Sequence, residues 1–168
     1  DYYVLTLGSL DPRKNLKGIL QAWSLIKHEQ PSFDYQLVVA GGKGKNFSDA
    51  FYLTNLNEED VLYLGYVDDE DLAPLYSGAS MFVYPSLFEG FGLPVLEAMS
   101  CRTPVLTSNT GALKEISEGA AELVSPSSSE EIAQGILKIT GSNDLSKKLT
   151  EAGNTRVSQF SWDKCAKE

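Results

Sequence analysis

The sequence is short of the residues that several kinds of chemistry require. Its 168 residues hold two cysteines, Cys101 and Cys165, and one histidine, His28. Two cysteines are too few for a disulfide framework and stand at no metal-ligand spacing, so a reducing, cytoplasmic compartment is expected and no metal is. His28 falls near the end of a predicted helix and reads as a surface or dipole-facing residue rather than a catalytic one. Positive charge is scarce as well: 14 Lys and Arg stand against 23 Asp and Glu, a net charge of -9. A nucleic-acid surface needs a basic face to meet phosphate backbones, and no basic stripe is present, so nucleic acid is not expected as a partner. No apolar run reaches the length of a membrane span, and the first residues lack the basic start and apolar centre of a secretory signal. Without that signal, the glycosylation acceptor Asn46-Phe47-Ser48 means little. The sequence also has no initiator Met and opens at Asp1-Tyr2-Tyr3-Val4 inside a strand. It is therefore expected to be a piece of a longer protein.

What the sequence does hold is an ordinary globular composition, 42% hydrophobic and 22% charged, at a length suited to one domain over residues 1–168. Strands are predicted at Tyr3–Leu7, Tyr35–Ala40, Val61–Leu64, Ser80–Tyr84, Pro104–Thr107 and Ala121–Val124. Helices are predicted over roughly 16–29, 47–56, 68–77, from Pro94 to about Ser100, at 113–117, through Ile139, over 146–157, and from Phe160 onward. Ser128 and Glu131 are spaced as a capping box for the helix ending at Ile139. This alternation predicts an α/β fold, a Rossmann-like doubly wound parallel sheet with helices on both faces. Right-handed crossovers would place the carboxyl ends of all the strands along one edge, where such sheets bind ligands. The loops Ser9–Lys14, Gly41–Lys45, Gly65–Val67, Glu89–Leu93 and Asn109–Ala112 all fall there.

Pro85–Met99 stands out among them. A buried strand hands over to a short helix through a turn bearing Gly90 and Gly92, with Pro94 in the first helical turn. Such a junction aims backbone N–H groups and the positive end of a helix dipole at one point, a ready site for a phosphate or another oxygen-rich anion. Glu89 and Glu97 bracket that point, and carboxylates accept hydrogen bonds from sugar hydroxyls. Local pattern alone is equally satisfied by a tight connection with solvated glutamates. Arg13 and Lys14, an adjacent basic pair at a strand-to-helix junction, fit a local anion site, although a solvated pair explains them too. Gly41-Gly42-Lys43-Gly44-Lys45 matches neither the dinucleotide nor the P-loop fingerprint: Phe47 replaces a required glycine of the first, Val39 and Asn46 the required residues of the second.

Taken in order, four segments resemble one family. They are Gly8-Ser9-Leu10-Asp11-Pro12-Arg13-Lys14-Asn15-Leu16, Leu64-Gly65-Tyr66-Val67, the pair Glu89 and Glu97 with seven residues between them, and Phe160-Ser161-Trp162. The chain resembles the C-terminal, donor-binding domain of the GT-B glycosyltransferases of family 4, which are retaining enzymes. The resemblance implies a nucleotide-sugar donor, GDP-mannose or a UDP-sugar, held without cofactor or metal. Arg13 and Lys14 would neutralise the diphosphate, Glu89 would bind the transferred sugar, and Glu97 would bind the ribose hydroxyls. Gly8, Gly90 and the backbone of Phe91, Gly92 and Leu93 would line the diphosphate and sugar, with Tyr66 and Val67 facing the base. Two departures stand out: Ser9 replaces an Arg of many members, and Arg102 replaces a Gly after the Glu-bearing helix, where a strained backbone or altered turn is expected.

The implied parent is a bacterial hexosyltransferase, mannosyltransferase-like, acting in polysaccharide biosynthesis on a glycan or lipid-linked acceptor. It would work in the cytoplasm, with peripheral association at the inner face of the plasma membrane. The acceptor site and the family's usual active-site His would lie in a preceding N-terminal domain, so this fragment alone is expected to be inactive. Two other classes remain open at this stage: a sugar-nucleotide epimerase of the same architecture, and a non-catalytic binding module.

Overall fold

Strands that are apolar toward both faces need cover on both, and the crossovers decide which helix covers which face. The computed structural model describes residues 2–9, 11–42, 56, 57 and 59–160. They form a six-stranded sheet from β1 (Tyr2–Leu7), β2 (Tyr35–Ala40), β3 (Val61–Gly65), β4 (Met81–Tyr84), β5 (Val105–Ser108) and β6 (Glu122–Val124), in the order β3-β2-β1-β4-β5-β6. Every neighbouring pair is parallel. The helices are α1 (Leu16–Glu29), α2 (Asp69–Gly78), α3 (Leu93–Ser100), α4 (Gly111–Ile116), α5 (Ser129–Thr140) and α6 (Asn143–Val157). This is the expected doubly wound α/β architecture. The helix predicted at 47–56 (except Leu56), the end of the second glycine loop from Lys43, the Asn46 acceptor, the segment beyond Phe160 and Cys165 lie outside the described residues. No described helix is long and apolar enough to cross a membrane.

Alternation along the strands sorts the core into two layers. Val4, Leu37, Val39, Val61 and Val83 pack with Leu20 and Trp23 of α1 and Ile132 and Ile136 of α5. On the other face, Leu5, Val38, Phe82 and Tyr84 pack with Tyr76 of α2, Val95 and Met99 of α3, and Leu113 and Ile116 of α4. After β1 the chain winds outward to β2 and β3 and then returns to β4 on the opposite side of β1. The crevice beyond the ends of β1 and β4 is thus the topological switch point, the favoured ligand position in open α/β sheets.

Element boundaries follow local chemistry. The fifth strand begins at Val105 rather than Pro104, because proline has no N–H for the ladder; its carbonyl accepts from Phe82 N at 2.8 Å instead. The last described helix starts at Asn143, earlier than the expected Ser146, since Ser142 Oγ accepts from Leu145 N at 3.2 Å and caps it. Ser128 caps α5 as expected, with Oγ accepting from Glu131 N at 3.1 Å. The reciprocal half of the box differs. Ser128 N is engaged by Ser125 O at 3.2 Å, so the Glu131 carboxylate reaches on to Ser125 N at 2.8 Å. Arg102 meets its expectation of strain. Thr103 N donates to Ala98 O and Arg102 N to Met99 O, each at 3.0 Å, and Arg102 sits between with φ 60, the left-handed position usually given to glycine.

Candidate functional site

The loop after β1 tightens into a single 3₁₀ turn, Pro12–Lys14, because Pro12 presets the backbone and Asp11 Oδ1 accepts from Arg13 N at 2.8 Å. Asn15 follows in the left-handed conformation, φ 60. Its side chain does not cap α1. Instead Nδ2 donates to Pro85 O at 3.0 Å and to Pro126 O at 2.6 Å, so one buried amide ties the β1 loop to those after β4 and β6. Leu87 N donates to Arg13 O at 2.8 Å and joins the loops after β1 and β4 a second time.

The turn after β4 is held from beneath. Thr107 Oγ1 donates to Tyr84 O at 2.8 Å, and the buried Ser108 hydroxyl donates to Ser86 O. Gly92 adopts φ 101 at the start of α3, and a Cβ there would come within 2.5 Å of Leu113 Cδ2 and 2.9 Å of Ile116 Cδ1. Only glycine fits both that backbone and that contact with α4. Among the described residues, no hydrogen bond uses the amides of Phe91, Gly92 or Leu93. They lie at the N-terminus of α3, where the dipole is positive.

Lys14 and Glu89 meet across the switch point. Lys14 Nζ lies 2.7 Å from Glu89 Oε1 and donates to Tyr84 Oη at 2.7 Å, while Tyr84 Oη donates to Glu89 Oε1 at 2.9 Å. Partial burial works against the charge on Glu89, but Lys14, with the neighbouring Ser86 and Tyr84 hydroxyls, holds its carboxyl below the usual range. Ser86 Oγ itself has no partner of hydrogen-bond geometry. Burial likewise depresses Lys14, and the bonds to Glu89 and Tyr84 outweigh it and raise the ammonium's pKa. Both groups are therefore charged at neutral pH.

The other expected site residues divide. Gly8 lies under the Lys14 stem, its Cβ position 3.6 Å from Lys14 Cγ, and its N–H is spent on Ala40 O at 3.0 Å. Arg13 faces outward, its side chain 65% exposed, and its guanidinium grips Asp11 through Nε at 3.1 Å and Nη2 at 2.9 Å. That hydrogen bond holds the Asp11 carboxyl down at about 2. Glu97 is an exposed residue of α3 whose Oε2 accepts from Tyr76 Oη at 3.1 Å. Burial, and then Glu97, push the Tyr76 phenol up. Gly90 is open, Phe91 lies edge-on to Phe160 with centroids 6.2 Å apart, and Leu93 begins α3. Tyr66, 77% exposed, and Val67 follow β3 and are separated from Lys14 by β2. Among the described residues, no group of acidic, His and Cys side chains could hold a metal ion.

Sequence reasoning missed Tyr84, Asn15 and Tyr76. The hydrophobic pattern places Tyr84 as core within a buried strand. The available signal was its place as the last residue of that strand, since a buried phenol needs a polar partner and the ligand edge supplies one.

A family profile described as "Glycosyl transferases group 1" matches residues 1–156. O-antigen chain mannosyltransferase B of Escherichia coli is 39% identical over 165 residues, covering 97% of this chain and 43% of that protein. The chain thus spans less than half the length of that relative. Among solved structures, the C-terminal domain of a glycosyl transferase group 1 family protein from Francisella tularensis aligns with a TM-score of 0.81 at 25% identity, over 94% of this chain and 85% of that one. Sucrose-phosphate synthase from Thermosynechococcus elongatus aligns with a TM-score of 0.86 at 30% identity, over 99% of this chain and 43% of that one.

Proposed function

The chain belongs to the group 1 glycosyl transferases, and on that premise we propose that it is the donor-binding domain of a retaining hexosyltransferase that uses GDP-mannose or a UDP-sugar. The observation that carries the reading is the meeting of Lys14 and Glu89, 2.7 Å apart, beside the unengaged amides of Phe91, Gly92 and Leu93. A departing nucleoside diphosphate gathers negative charge. Lys14 and the α3 N-terminus stand together at that point to receive it, so no metal or cofactor is required. Arg13 adds a second cation through the donors that Asp11 leaves free. Glu89 accepts from the transferred sugar, Glu97 from the ribose, and Gly8 and Gly90 leave room for the diphosphate and sugar. Tyr66 and Val67 lie against the base. The mannosyltransferase relative favours mannose.

The acceptor is a glycan or a lipid-linked saccharide of bacterial polysaccharide biosynthesis, and its site is supplied by a preceding domain of a cytoplasmic parent peripheral to the membrane. The match to a C-terminal domain over 85% of its length supports that arrangement. This chain alone then binds donor and transfers nothing. Isothermal titration with GDP-mannose, UDP-glucose, GDP and UDP tests the reading. Binding of at least one sugar nucleotide, abolished in Glu97→Ala, is expected; no heat with any sugar nucleotide overturns it.

A further inference from the structure

Of the three groups at the switch point, only one is anchored in the core. Tyr84 is 1% exposed, and its ring stacks on Phe82 with centroids 5.5 Å apart at 20°. Its carbonyl is pinned by Thr107 Oγ1 at 2.8 Å. Lys14, by contrast, reaches in on a flexible four-carbon stem, and Glu89 sits on a turn. The phenol accepts from Lys14 Nζ and donates to Glu89 Oε1. Lys14 lands on that same Oε1, so the second carboxylate oxygen takes part in neither bond.

We propose that Tyr84 is a positioning residue of the donor site, its fixed hydroxyl holding Glu89 in place for the sugar while Lys14 turns to the diphosphate. The proposal rests on the donor-site reading for its ligand. In the ligand-free chain, Lys14 and Tyr84 share the task of orienting Glu89. Once a diphosphate competes for the ammonium, Tyr84 becomes the carboxylate's remaining fixed partner. Glu89 Oε2 can then accept a sugar hydroxyl without the carboxylate swinging away. Burial keeps the phenol protonated, so it stays a donor across the neutral range. The gain is preorganisation of a charged acceptor, so it is felt by the sugar and not by the nucleotide alone.

The test is Tyr84→Phe, which keeps the ring and its stacking, with thermal unfolding to confirm the fold. GDP-mannose binding is expected to weaken about tenfold, the effect of one hydrogen bond to a charged group, while GDP binding changes by less than about twofold. In a double-mutant cycle, Tyr84→Phe should cause no further loss on a Glu89→Ala background, where no acceptor is left for the phenol. Independently of any ligand, carboxyl ¹³C titration by NMR should find the Glu89 pKa raised in Tyr84→Phe. An unchanged Glu89 pKa, equal losses for GDP and GDP-mannose, or a loss that persists on the Glu89→Ala background overturns the proposal. If the unmutated chain binds no sugar nucleotide, the donor-site reading falls, and the titration alone decides whether Tyr84 holds Glu89.

Discussion

Asn15 and Arg102 share a left-handed backbone, each with φ 60, and their side chains do opposite things with it. Asn15 turns the strain to use, because from that conformation Nδ2 meets Pro85 O and Pro126 O. Arg102 is exposed in the turn after α3, and no hydrogen bond uses its guanidinium among the described residues. Substitution should separate the two cases. Asn15→Ala loses both bonds and keeps the strain, for a loss of about 2–4 kcal/mol. Asn15→Gly relieves the backbone and should melt between the alanine variant and the unmutated chain. Arg102→Gly should gain about 1 kcal/mol and raise the melting temperature by about 2–4 °C in a domain of this size. Calorimetric melting of the three variants checks the order.

At the scale of elements, the junction of β4 and α3 is a wedge set on α4. Its two glycines are not equivalent. Gly92 has φ 101 and Leu113 against it, whereas a Cβ at Gly90 meets nothing within 4 Å. Gly92→Ala must therefore displace α4 and twist an unfavourable backbone, costing more than about 2 kcal/mol and the donor binding with it. Gly90→Ala should stay within about 0.5 kcal/mol of the unmutated chain in denaturant unfolding. The wedge was legible in the sequence, because a strand, a glycine turn and an early proline each carry local signals. So were Lys14, Glu89 and the shared edge, since parallel crossovers force the loops together. What was not legible is which side chains touch. Tyr84 finds Lys14, and Asn15 finds Pro85, each at a separation of 70 residues, and no local pattern encodes such a meeting. The shifted starts of β5 and α6 came from the missing N–H of Pro104 and the capping hydroxyl of Ser142, which outweighed hydrophobic period.

For the whole molecule, the Lys14–Glu89 pair is a clasp between two halves of one sheet, β1 to β3 on one side and β4 to β6 on the other. Its contribution to stability depends on pH with a definite sign. Glu89 lies below its ordinary 4.5 in the folded chain, so its share is present above 4.5 and lost as pH falls through the folded value. Lys14 lies above its ordinary 10.5, so its share is present below 10.5 and lost as pH rises through the folded value. The stability difference between the unmutated chain and Glu89→Gln should then form a plateau between these limits. Denaturant unfolding should find about 1–2 kcal/mol at pH 7, falling away as pH drops below 4.5.

The seam under that clasp is short. β1 pairs with β2 over six registered residues from Tyr2↔Tyr35 to Leu7↔Ala40, but with β4 only through Val4↔Met81 and Leu5↔Phe82. Partners so distant in sequence must wait for half of the chain, β4 ending at Tyr84 of 168 residues, and loop-closure entropy opposes them until the helices between have formed. Assembly order follows: the parallel β1-α1-β2 crossover unit can close early, during synthesis, whereas the crevice exists only after β4 docks. In stopped-flow refolding, the helical circular dichroism signal should therefore run ahead of the recovery of nucleotide binding, and competence to bind becomes a report that the chain has finished folding.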